Sequence, residues 1–140
     1  MSIRIITTGG TFDKVYFDAL SEFHIGEPMA GPLLEEANVN FTWQVQSVLK
    51  KDSLEINDED RQLLRDAVGN AAEAQILITH GTDTMVDSAR ALDGIEGKTI
   101  VLFGAMQPAR MRYSDAMFNL GVACAAVCQA LRIQWSSVCA

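Results

Sequence analysis

The order of apolar and polar residues divides the chain into alternating strand-like and helix-like segments. Ile3 to Thr7 form a short apolar run ended by Thr8-Gly9-Gly10-Thr11, the pattern of a buried strand closing in a tight turn. Phe41 to Val48 alternate and are rich in β-formers, which predicts a second strand. Gln75 to Thr79 and Thr99 to Phe103 predict a third and a fourth. Helical spacing lies between them. Asn57, with Asp60 three residues on, has the form of a capping box, and Leu63, Leu64, Ala67, Val68 and Ala71 mark one helical face behind it. Met85, Ala89 and Leu92 share a face of the next helix, which Gly94 ends. Ser114-Asp115 open a long apolar helix reaching about Leu131, and a short fifth strand is expected from Ile133. Phe12 to Glu36 hold Pro28, Pro32, Gly26 and Gly31, so this stretch predicts a long irregular loop with a helical turn near Leu33 to Ala37. Loops of that length are usually functional.

Strands that alternate with helices predict an α/β fold: a mostly parallel sheet covered by helices on both faces, a three-layer arrangement of the Rossmann or flavodoxin type. One such domain accounts for all 140 residues. Ligands of these folds bind beyond the carboxyl ends of the strands. The polar motifs follow the first, third and fourth strands, which groups them into one expected site.

Composition narrows the function classes. Apolar residues make up 49% and charged residues 21%, an ordinary globular balance. The net charge of −7 opposes a nucleic-acid or anionic-membrane surface, both of which call for clustered Lys and Arg. No segment has the apolar length of a membrane span. Met1-Ser2-Ile3-Arg4 lead into a strand without a signal-peptide pattern, so a cytoplasmic location is expected. Cys124 and Cys128 are one helical turn apart and Cys139 is nearly terminal; three reduced thiols without a chemical role are expected, and no Cys-x-x-Cys pair points to zinc.

Four motifs carry candidate chemistry. In Thr7-Thr8-Gly9-Gly10-Thr11, two glycines permit a sharp turn and a close backbone approach to a ligand, and Thr11 projects a hydroxyl from it; the plain alternative is a βα turn with a capping threonine. The pattern lacks the third glycine of a dinucleotide fingerprint and the Gly-Lys of a phosphate loop. In Thr79-His80-Gly81-Thr82-Asp83-Thr84, Asp83 suits a helix N-terminus and can hold a substrate ammonium, while Thr82 can attack a carbonyl or orient water given a base. His80 reads as a residue packed against the sheet. Lys98 precedes the fourth strand; it is either solvated surface or, buried near Asp83, an activator of the Thr82 hydroxyl. Gly104-Ala105-Met106-Gln107-Pro108 leave room for a ligand, and Ser114-Asp115 cap the following helix.

Taken in order, Thr8-Gly9-Gly10-Thr11, Asp52-Ser53, His80-Gly81-Thr82-Asp83-Thr84-Met85, Lys98 with Gly104-Ala105-Met106, and Ser114-Asp115 with Asn119-Leu120 resemble the amino-terminal domain of bacterial-type L-asparaginases. The resemblance covers almost the whole chain. It implies a cofactor-independent amidohydrolase that converts L-asparagine, or L-glutamine, to the acid and ammonia. Thr11 would be the nucleophile and Tyr16 its activator. Thr82 and Lys98, with Asp83, would form a second centre. Asp83 would bind the substrate ammonium and Ser53 its carboxylate, and backbone N–H groups near Gly10, Thr82 and Ala105 would line the site. It also implies a homo-oligomer, dimer or tetramer, binding a small molecule and neither nucleic acid nor membrane.

The sequence departs from that pattern in three places. Phe12-Asp13-Lys14 follow the Gly-Gly-Thr turn, Leu54 replaces a polar position, and Ile133 to Ala140 differ from the usual continuation. The chain is expected to be a short member without the carboxyl-terminal domain that supplies an acid to the site. Trp135 and the apolar face of Ala116 to Leu131 are candidate subunit contacts. Two other functions are open: a non-catalytic amino-acid-binding or regulatory module, and a component of an amidotransferase acting on charged tRNA, which the net charge disfavours.

Overall fold

A computed structural model describes residues 1–129 of the chain. Its centre is a four-stranded, wholly parallel sheet in the order β4 (Thr42–Lys51), β1 (Ser2–Gly9), β5 (Gln75–Thr79), β6 (Thr99–Phe103). β1 lies inside, with Ile5 paired to Val45 on one side and to Leu77 on the other. Both faces of a parallel sheet are covered, so its central strands are apolar without alternation. Ile3, Ile5 and Ile6 are accordingly all fully buried, as are Ile76, Leu77 and Ile78.

The two faces pack against different helices. Ile3, Ile5, Leu77, Val101 and Phe103 meet α1 (Ala30–Glu36) and α4 (Ala116–Gln129) through Leu33, Leu34, Leu120, Ala123 and Val127. Ile6, Ile76, Ile78 and Leu102 meet α2 (Asp58–Asn70) and α3 (Met85–Ala91) through Leu64, Val68 and Met85. This is the expected three-layer α/β architecture. The start of α2 is the expected capping box: Asn57 Oδ1 accepts from the Asp60 N–H at 2.9 Å, and Asp60 Oδ2 accepts from the Asn57 N–H at 3.1 Å. No described helix is long and apolar enough to cross a membrane. Cys124 and Cys128 are free thiols on α4.

The segment from Phe12 to Glu36 is more ordered than the expected irregular loop. It holds a hairpin of β2 (Lys14–Phe17) and β3 (Glu22–Ile25), with Tyr16 paired to Phe23 and their rings 5.3 Å apart. The strands of four residues each are too short for an alternation to declare itself. Ser21 closes the turn with φ 50°, an uncommon role for serine that hides the hairpin from a turn-residue reading. Pro32 falls in the first turn of α1, where a missing N–H costs nothing, so the helix begins earlier than the expected Leu33. The fifth strand expected from Ile133, together with Trp135 and Cys139, lies outside the described residues.

Leu120 is 1% exposed and faces the sheet beside Phe103. Leu120→Ala should therefore lower unfolding stability by about 2–5 kcal/mol, read as a reduced urea midpoint at unchanged slope.

Candidate functional site

Parallel strands deliver their carboxyl ends to one edge, and the polar loops after β1, β4 and β5 meet there. Gly10 has φ 75° and ψ −173°, a conformation essentially confined to glycine, and a Cβ on it would lie 2.7 Å from the Gly81 nitrogen. A Cβ on Gly81 would lie 2.6 Å from Ser53 Oγ. Three loops thus touch through two glycines and a serine. Hydrogen bonds fasten the contact: the Gly10 N–H donates to the Lys51 carbonyl at 3.0 Å, and Thr84 Oγ1 donates to the Ser53 carbonyl at 2.7 Å. Thr8 Oγ1 donates to the Thr79 carbonyl at 2.7 Å.

Around this junction lie most of the candidate residues. Thr11 begins a 3-10 turn with Phe12 and Asp13 and remains partly exposed. Phe12 anchors the turn below, edge-on to Phe103 with ring centres 5.5 Å apart. Thr82 and Asp83 are exposed at the mouth, and the buried Ser53 hydroxyl reaches Asp83 Oδ2 at 3.5 Å. Thr84 is therefore tied to the Ser53 loop rather than capping α3. After β6, Ala105 is buried, and the Asp115 carboxylate accepts from the N–H groups of Met106 and Gln107 at 2.9 and 3.0 Å. Burial works against the charge on Asp115, but these bonds and one from Asn119 outweigh it and hold the pKa below the ordinary carboxylate value. Of the expected Ser114-Asp115 cap, only Ser114 takes that part, accepting from the Ala116 N–H at 3.0 Å.

Lys98 is not in this site. It precedes β6 and so stands at the amino-terminal edge of the sheet, the length of a five-residue strand away, or roughly 16 Å. Its ammonium donates to the carbonyls of Ala71 and Glu73 in the turn before β5, the latter at 2.7 Å. The expected partnership with Thr82 is thereby corrected: a residue just before a strand and one just after its neighbour occupy opposite ends. Tyr16 belongs to the hairpin, half exposed, and among the described residues no hydrogen bond joins it to Thr11.

Asp13 is a residue whose importance the sequence did not signal beyond its departure from the pattern. It is 1% exposed, two residues from Thr11. Its Oδ1 accepts from the Met29 N–H at 2.9 Å, and its carbonyl accepts from the Gly26 N–H at 2.8 Å and from Arg110 at 2.7 Å. One residue so closes the hairpin at its base. Burial pushes its pKa up to about 6, against the lowering effects of the Met29 bond and Arg110. His80, as expected, packs inside, with its ring between the Gly81 carbonyl and Ser88. Among the described residues, no group of three or more metal-ligating side chains comes together.

Comparison with known proteins identifies the family and the fold of this domain. The sequence pattern of the asparaginase amino-terminal domain matches residues 2–139. A probable periplasmic L-asparaginase of Haemophilus influenzae is 31% identical over 131 residues, 85% of this chain and 36% of that protein. A glutaminase-asparaginase of Pseudomonas fluorescens is 35% identical over 134 residues, again 85% of this chain and 36% of the relative. A glutamyl-tRNA(Gln) amidotransferase component of Methanopyrus kandleri is 31% identical over 137 residues, 89% of this chain and 29% of that one. Among solved structures, the thermostable L-asparaginase of Thermococcus kodakarensis superposes with a TM-score of 0.75 at 25% identity, over 99% of this chain and 43% of that one. L-asparaginase I of Vibrio cholerae gives 0.72 at 26% identity, over 90% and 40%. The chain spans about a third of the length of these curated relatives.

The buried Asp13 carboxyl has a sign that can be tested. Its folded pKa of about 6 lies above the ordinary aspartate value of about 3.9. Its contribution is fully present below the unfolded pKa and is lost as pH rises through the folded one, by as much as about 3 kcal/mol. Asp13→Asn keeps the acceptor for Met29 and cannot ionise. Stability measured by urea unfolding from pH 4 to 7 should decline less steeply in Asp13→Asn than in the parent; parallel curves would refute the assignment.

Proposed function

This chain belongs to the asparaginase family, and we propose that the crevice at the carboxyl edge of its sheet hydrolyses the side-chain amide of L-asparagine, or of L-glutamine, with Thr11 as nucleophile. The observation that carries the reading is the junction of Gly10, Gly81 and Ser53, which gathers the Thr11 turn, Ser53 and the Thr82-Asp83 loop at one mouth. The aspartate there suits a substrate ammonium, and the Ser53 hydroxyl suits a carboxylate.

In this reading the Thr11 oxygen attacks the carboxamide carbon. The C–N bond breaks, and the hydroxyl proton leaves on the nitrogen as ammonia. Water then cleaves the Thr11 ester, returning the hydroxyl and releasing the acid. Tyr16, on the hairpin that follows the Thr11 turn, is assigned as the activating group. N–H groups near Thr82 and Ala105 stabilise the oxyanion; such donors often contribute about 3–4 kcal/mol. Thr82 and Asp83 act without Lys98. A second copy of the chain completes the cover of the crevice, and the reaction takes place in the cytoplasm.

The position of Lys98 favours one other reading, a domain that binds an amino acid and does not turn it over, because it removes one of the groups on which a second reacting centre would depend. The two differ in a single measurement. Ammonia release from L-asparagine at up to tens of millimolar should be detectable for the parent chain, and Thr11→Ala should lower it about a thousandfold or more. Equal release by both would end the nucleophile assignment, and none from the parent would leave the binding domain. Lys98→Met should keep turnover within about twofold while losing about 1.5–3 kcal/mol of stability, the worth of charged hydrogen bonds to carbonyls. Lost turnover in a folded Lys98→Met protein would return the lysine to the chemistry.

A further inference from the structure

His80 and Ser88 are buried polar side chains beneath the Thr82 loop for which the proposed reaction has no use. His80 Nδ1 lies 2.7 Å from the Gly81 carbonyl oxygen, and Nε2 lies 2.7 Å from Ser88 Oγ. A carbonyl only accepts, so Nδ1 bears the proton. In the neutral ring Nε2 is then the acceptor, and the Ser88 hydroxyl donates to it. Burial keeps the ring's pKa below the ordinary histidine value in spite of the Gly81 bond. One tautomer is thereby selected.

The consequence appears one bond further along. The Gly81–Thr82 peptide is trans, so its C=O and N–H point in opposite directions within one plane. With the oxygen held against the buried ring, the Thr82 N–H points away from the core. Among the described residues it has no hydrogen-bond acceptor. Glycine at 81 would otherwise let this plane turn over freely. The Gly10 backbone and Ser53 fix where the Gly81 α-carbon sits, and the imidazole fixes which way the plane faces.

We propose that His80, held by Ser88 as the Nδ1–H tautomer, is a positioning residue that aims the Thr82 N–H into the crevice as donor to the oxyanion formed on a carboxamide substrate. The role rests on the amidohydrolase reading above. It makes the buried histidine part of the reaction without contact with substrate.

Two substitutions separate this role from packing. Asparagine at this position puts an amide N–H where Nδ1–H stands and keeps the Gly81 bond. Glutamine puts it where Nε2 stands, towards Ser88, and releases the Gly81 carbonyl. With L-asparagine, His80→Gln should lower kcat about ten- to hundredfold with KM within about twofold, and His80→Asn should restore kcat to within about fivefold of the parent. Equal losses in both variants, or none in either, would overturn the proposal. Long-range 1H–15N NMR of the unsubstituted protein should show Nδ1–H at neutral pH; an Nε2–H or charged ring would overturn it without any variant. If the parent releases no ammonia, the amidohydrolase reading fails. The positioning role is then decided by the Thr82 amide resonance on adding L-aspartate: it should move in the parent and in His80→Asn, and its failure to move in the parent would overturn the role.

Discussion

Gly81 sits against Gly10 on one side and Ser53 on the other with no space for a methyl group on either glycine. That contact is the constraint on which the rest of the site depends. Three chain segments far apart in sequence approach to van der Waals distance only because β4, β1 and β5 are adjacent and parallel, with Thr7 level with both Ser47 and Thr79. A side chain on Gly10 would push the Thr11 turn away from the Thr82 loop, and one on Gly81 would push that loop away from Ser53. The sheet order and the two small residues act together, and neither suffices alone.

Loops brought this close carry backbone groups that need hydrogen-bond partners. Side chains next to the junction supply them. Thr8 satisfies the Thr79 carbonyl, Thr84 the Ser53 carbonyl, and Asp115 the N–H groups of Met106 and Gln107. Asp13 does the same for the hairpin base, at the cost of a carboxyl buried beside the nucleophile candidate. The polar residues of this region therefore have two kinds of work. Those pointing inward hold loops, and those at the mouth, Thr82 and Asp83, remain exposed.

Lys98 shows why residue type and spacing are insufficient. Its place ahead of an apolar strand puts it, in a parallel sheet, at the edge opposite the polar motifs, so its grouping with Thr82 rests on the family resemblance and not on the strand order. In a parallel sheet the direction of β6 matches that of β5, so Lys98 shares an edge with Glu73 and not with Thr82. The ammonium has its own structural duty there. Lys98 supplies hydrogen bonds to two carbonyls of the turn before β5.

The sequence by itself determined the alternation of strands and helices, the capping box at Asn57, the covering of both sheet faces and the collection of polar motifs at one edge. These follow from local periodicity and from the rule that parallel strands share a direction, and both are written in consecutive residues. Only the tertiary structure decided that the stretch after Thr11 makes a hairpin, that Asp13 is buried, that Asp115 serves a neighbouring loop and that Lys98 binds the carbonyls of the turn before β5. Each of these depends on what lies across a contact between residues distant in sequence: Met29 and Arg110 for Asp13, Met106 for Asp115, Ala71 and Glu73 for Lys98. Burial and hydrogen-bond partners arise from those long-range contacts, and no local pattern encodes them.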